Sequence, residues 1–146
     1  MAGQPVCSRS WLEKAHLDLY SAECLMEHHP APYEIICFHC QQAVEKSLKC
    51  ILSLYREEIP KTHDCGLLCQ MCGEIHSGFE VWEDICPRFA PFSVVVRYPN
   101  ELDVEKSDAE WALETSRKIY EFTAMKLELL QKEPLEQNGG MEQTMS

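Results

Sequence analysis

One 12-residue segment concentrates side chains able to bind or move protons: Phe38-His39-Cys40-Gln41-Gln42-Ala43-Val44-Glu45-Lys46-Ser47-Leu48-Lys49. Gln41, Glu45 and Lys49 recur at intervals of four, as do Gln42 and Lys46, so each set shares a helix face. Amides on such a face contact a base or a phosphate, the lysines supply charge, and His39 can exchange a proton near neutral pH. The same pattern also suits a solvated face or a hydrogen-bonded seam between two subunits. Downstream, Lys61-Thr62-His63-Asp64 falls where a loop meets a helix start. Free amides there attract anions, and Lys61 and His63 would reinforce them, although Thr62 or Asp64 would also serve simply as a cap. His63 is the first choice of catalytic base and His39 the second. Arg97-Tyr98-Pro99 offers a guanidinium on a stiff dipeptide, suited to phosphate or carboxylate through two parallel bonds. A salt bridge from Arg97 to a helix acid such as Glu45 is the structural alternative.

Helices must position these groups. Trp11, Ala15, Leu19, Ala22 and Met26 form a stripe, and Ser10 with Glu13 reads as a capping box at the start of a first helix. Lys14 and Asp18 are spaced for an outer-face pair. Pro30 ends this helix and Pro32 suits the first turn of the next, over about 33–56, with Ile36, Cys40, Ala43, Val44, Ser47 and Ile51 inward. The short connection makes the two antiparallel neighbours. A third helix is expected over 65–76 and a short fourth with Phe79, Trp82, Ile85 or Cys86, and Phe89 inward. Val94-Val95-Val96 reads as extended loop. A long last helix starts between Asp103 and Ser107, with Ser107 and Glu110 as a second capping box. Its stripe is Ala109, Ala112, Ser116, Ile119, Thr123, Leu127 and Leu130, and Pro134 stops it. The expected fold class is all-α, an up-and-down helical bundle of four to five helices. The expected organisation is a flexible leader at 1–9, one helical domain at 10–132 and a disordered tail at 133–146.

The composition fits a soluble globular domain of 146 residues, with 45% hydrophobic and 25% charged residues. A net charge of −11 repels a free polyanion on average, so any nucleic-acid contact needs a local basic cluster or a partner protein. Nine cysteines, an odd number, argue against a secreted disulfide framework. No apolar run approaches the ~20 residues that span a bilayer, and cytoplasmic localisation is the expectation. Cys37-x-x-Cys40 and Cys69-x-x-Cys72 have zinc-ligand spacing, but both fall in expected helices, where buried cysteine acts as a small hydrophobe. No metal ligand and no cofactor is assigned. The aromatic residues read as core.

The segment from Phe38 to Lys49, the Pro60-Lys61-Thr62-His63-Asp64 loop and the later Arg97-Tyr98-Pro99 element, in this order on a helical chain, resemble a bacterial branch of the HEPN family. Trp11 and Asp18 are similar to an aromatic and an aspartate in that branch's first helix. The resemblance covers about residues 10–132. It implies a HEPN-like bundle, often a homodimer, with a nucleotide- or RNA-associated role. It further implies a minimal nucleotidyltransferase as partner in a toxin–antitoxin-like pair. By the same resemblance Arg97 and His63 are candidate catalytic residues, and His39, Gln41, Gln42, Glu45, Lys46, Lys49, Lys61, Asp64 and Tyr98 are candidates for nucleotide, RNA or partner binding. Many family members cleave RNA through Arg-x(4–6)-His. Arg97 occupies the arginine's place, but none of the residues from Tyr98 to Asp103 is histidine, and none follows His76. Attack by a 2′-hydroxyl needs a group that exchanges protons near neutrality, so that usual mechanism is not expected here. A non-catalytic helical dimerisation and partner-binding module is the second reading, and a zinc-binding protein built on the two Cys-x-x-Cys pairs the third.

Overall fold

The computed structural model describes residues 7–94 and 103–132. Four α-helices are present: α1 (Ser8–Met26), α2 (Tyr33–Leu52), α3 (Cys65–Ile75) and α4 (Lys106–Lys132). Two 3₁₀ segments, Ser77–Trp82 and Cys86–Ser93, lie between α3 and α4. No strand occurs among the described residues. The architecture is the all-α bundle the periodicities require.

Helix α2 is the central element, packing against α1, α3, α4 and the second 3₁₀ segment. Its inward positions Ile36, Cys37, Cys40, Ala43, Val44, Ser47, Leu48 and Ile51 are all fully buried. The expected α4 stripe, from Ala109 to Leu130, is the buried face of that helix residue for residue. Phe79, Phe89 and Phe92 fill the space under α4; Phe79 meets Phe122 edge-on at 5.2 Å between ring centroids. A smaller cluster of Leu12, Cys50 and Leu127 closes the other end of the bundle.

Several local expectations are corrected. Helix α1 starts at Ser8 with Cys7 as its cap residue, so Ser10 lies inside the helix and forms no capping box with Glu13. Ser8 instead meets Ser53 Oγ at 2.6 Å and ties the helix start to the end of α2. Helix α2 ends at Leu52, four residues early, in turns that place Leu54 back on the core. The expected short fourth helix is two 3₁₀ segments; in the second, Pro87 and Pro91 lack the amide that an α-helix needs. Gly66 allows the start of α3 to approach them: a Cβ there would stand 3.0 Å from Pro87 Cγ. At the start of α4, the Asp108 carboxylate rather than Ser107 caps, accepting from Glu105 N–H at 2.9 Å. The expectations for the leader at 1–6, for Val95-Val96 and Arg97-Tyr98-Pro99, and for the tail at 133–146 lie outside the described residues. No described helix is long and apolar enough to cross a membrane.

Candidate functional site

At ~100° per residue, His39, Lys46, Gln42, Lys49, Glu45 and Gln41 follow one another around a polar arc of about 160° on α2. The structure divides this arc into two clusters.

The first is built on Glu45, whose side chain is only 5% exposed. Lys49 Nζ, 7% exposed, donates to Glu45 Oε2 at 2.9 Å. Gln41 Nε2 and Gln42 Nε2 donate to Oε1 at 3.1 and 3.4 Å. His63 Nδ1 lies 3.1 Å from Oε1 and 3.2 Å from Oε2. A carboxylate only accepts, so Nδ1 carries the proton and Nε2 of the neutral ring is left as an acceptor. The His63 side chain is 57% exposed. The result is an imidazole held by a buried carboxylate, the arrangement that fixes the tautomer of a general base. Gln41, fully buried, also donates to the His63 carbonyl at 3.2 Å and fixes the loop as well as the ring. Lys49 Nζ stands 5.6 Å from the centroid of the Trp11 ring, so α1 covers its far side.

The second cluster centres on Asp18 of α1. Its Oδ1 lies 2.9 Å from His39 Nδ1, and Lys46 Nζ donates to its Oδ2 at 2.7 Å. Asp18 is 12% exposed, His39 27% and Lys46 25%. The expected Lys14–Asp18 pair does not form, because two partners on α2 point at the same carboxylate from a half-buried helix interface. His39 and Glu45 are six residues apart on α2, about 9 Å along the axis and roughly 120° around it. The described part of the site is therefore two clusters on one arc, and Gln42, which also donates to Gln41 Oε1 at 2.8 Å, belongs to the first.

The other candidates fall as follows. Asp64 caps α3, its carboxylate accepting from Leu67 N–H at 3.1 Å, and Thr62 Oγ1 accepts from Asp64 N–H at 3.0 Å. Asp64 thus has a structural role, while Lys61 is exposed beside Arg56, Glu58 and Ile59. Arg97 and Tyr98 lie outside the described residues, as does the expected Arg97–Glu45 bridge; Glu45 is already saturated by four side chains. In the sequence Asp18 stands out only through the resemblance and as a partner for Lys14; the α1–α2 packing brings it to His39 and Lys46.

The cysteines form no metal centre among the described residues. Cys37, Cys40, Cys69 and Cys72 are fully buried. The Cys72 thiol donates to the Leu48 carbonyl at 3.3 Å and the Cys69 thiol to the Phe79 carbonyl at 3.5 Å. Burial pushes the Cys37 and Cys40 thiols up to about 12 and raises Cys72 as well. No three His, Cys, Asp or Glu side chains among the described residues are placed to hold a metal ion, so the zinc reading is set aside.

Comparison with known proteins agrees with the all-helical fold. The family model described as HEPN domain matches residues 8–127. The crystal structure of TT1696 from Thermus thermophilus is similar, with a TM-score of 0.70 and 26% sequence identity, over 82% of this chain and 97% of that one. No curated protein matches the sequence.

Proposed function

The chain belongs to the HEPN domain family, and on that premise we propose a nucleotide- or RNA-associated role, exercised as a homodimer with a minimal nucleotidyltransferase protein in a toxin–antitoxin-like pair. The observation that carries this reading is the half-exposed His63 imidazole held at Nδ1 by the buried Glu45 carboxylate. A side chain meant only for packing has no need of an oriented, solvent-facing ring nitrogen. His63 would accept a proton from a ribose hydroxyl or donate to a phosphate. The exposed Lys61 would add a local positive charge that the chain as a whole, at −11, lacks, while Lys46 and His39, held on Asp18, would bind through their remaining donors. Arg97 would complete the site as a phosphate ligand, with Tyr98 beside it.

Binding and cleavage of a short RNA by the purified chain, alone and with a co-expressed nucleotidyltransferase, test the proposal. Retained binding that falls at least tenfold in His63→Ala supports it. Absence of both binding and partner association contradicts it.

A second reading, a non-catalytic dimerisation and partner-binding module, has its own support. Gln41, Glu45 and Lys49 are buried and satisfy one another, which is how residues that hold a fold together behave. Under it, His63→Ala leaves RNA binding unchanged while partner association persists.

A further inference from the structure

A second cavity, of about 280 Å³, lies between the second 3₁₀ segment and the start of α4, lined by Arg88, Pro91, Phe92, Asp103, Val104, Asp108 and Trp111. It is remote in sequence from the polar arc of α2. Its floor is an ordered stack. The Trp111 indole is covered on one side by Phe89, with ring centroids 4.9 Å apart. The Arg88 guanidinium carbon stands 4.2 Å from the indole centroid. Arg88 is exposed and forms no salt bridge with a carboxylate of the described residues, so its guanidinium stands over the indole as a planar cation at the cavity. Nucleobases stack on such planes, as they do on aromatic rings. The half-buried Asp108 contributes a carboxylate whose Oδ2 accepts from Glu105 N–H, leaving Oδ1 for a ligand. The Asp103 carboxylate stands at the same cavity. Together these groups present a planar cation for stacking and, at the same cavity, two carboxylates as acceptors.

We propose that this cavity takes a guanine base, stacked on Arg88 with its donor edge toward Asp103 and Asp108. The inference rests on the nucleotide or RNA reading given above and names the base that reading leaves open. The choice follows from hydrogen-bond chemistry. Guanine carries two adjacent donors, N1–H and N2–H₂, on one edge, which match carboxylate acceptors. Adenine places the N1 lone pair in the equivalent position and would set acceptor against acceptor. Cytosine offers a single amino group, and uracil a single N–H between two carbonyls. A cavity of this volume holds one base, with sugar and phosphate outside, away from the two aspartates.

The test is binding of guanosine 5′-monophosphate and adenosine 5′-monophosphate to the full chain, followed by calorimetry and by quenching of tryptophan fluorescence. The guanine nucleotide is expected to bind at least tenfold more tightly than the adenine one. The preference should be lost in the Asp103→Asn, Asp108→Asn double variant, which keeps an amide oxygen to cap α4. Arg88→Lys keeps the charge but loses the plane, and should weaken guanine binding at least fivefold while leaving the melting temperature unchanged. Equal affinity for the two nucleotides, a preference that survives the double variant, or no nucleotide binding while the chain still binds RNA through His63 each overturns the guanine site. That last result leaves the α2 site standing, whereas His63-independent RNA binding with intact guanine preference would overturn only the α2 site.

Discussion

Replacing Glu45 by alanine leaves Lys49, 7% exposed, without the carboxylate that stands 2.9 Å from its ammonium group. On its other side the Trp11 indole centroid lies 5.6 Å from the Lys49 ammonium group. Removing one member of a buried pair costs about 3–5 kcal/mol, most of it the uncompensated charge. Gln41 and His63 lose their acceptor in the same step. For a domain of this size each kcal/mol moves the melting temperature by about 2–4 °C, so Glu45→Ala should melt roughly 6–20 °C below the parent. Urea titration monitored by circular dichroism gives the free energy directly. The Glu45→Leu, Lys49→Met double variant replaces both charges with apolar groups and should recover most of that loss. A single-variant cost below about 1 kcal/mol, the range of an exposed pair, would refute the reasoning, because Lys49 would then be solvated. A double variant that merely adds the two single losses would refute it equally, since coupled partners do not add.

Other outcomes follow from the same geometry. Asp18→Ala removes the common partner of His39 and Lys46 and should cost about 1–2 kcal/mol in urea titration, between the exposed and buried cases. Thr123 is fully buried and its hydroxyl has no partner among the described residues, so the near-isosteric Thr123→Val should raise stability by about 1 kcal/mol. Burial raises Cys40 and Cys50 from an ordinary thiol value of 9.0 to about 12. The fold favours their protonated form, so this contribution is intact below pH 9. It is lost as pH rises toward 12, by about 1.4 kcal/mol per thiol per pH unit. Equilibrium unfolding at pH 8 and pH 10 should show the decline, and Cys40→Ala should shallow it. In the native protein at pH 8, Cys7 and Cys24, the two exposed cysteines, should be the only described ones that a thiol reagent modifies rapidly.

The buried stripe of α4 was legible because its spacing of three and four is uninterrupted over 22 positions and every member is small or apolar apart from a hydroxyl. The core of α2 was legible for the same reason. Helix starts were less so: Ser10 and Glu13 carry the capping-box pattern, yet the helix begins three residues earlier, with Cys7 as cap and Ser8 on Ser53. The two 3₁₀ segments have apolar residues at nearly helical spacing, and the prolines decide against an α-helix without saying what replaces it. At the site, His63, Gln41, Glu45 and Lys49 could be named from residue type and the family resemblance. Their joining at one carboxylate could not, because His63 and Glu45 are 18 residues apart and meet only when α3 folds back on α2. Asp18 has a plausible local partner in Lys14 and better ones across the α1–α2 interface, and only the tertiary arrangement selects between them. The Arg88–Trp111 stack spans 23 residues with no motif to announce it.

Cleavage or binding of a defined RNA by the full chain, compared between the parent and His63→Ala with the fold verified by circular dichroism, tests the central claim most directly. The parent should bind, in the presence of its partner if not alone, and His63→Ala should lose at least tenfold with its helical content and melting temperature unchanged. RNA binding or cleavage that is identical in the two proteins would contradict it, and would reduce the His63–Glu45 pair to a device that fastens the α2–α3 loop.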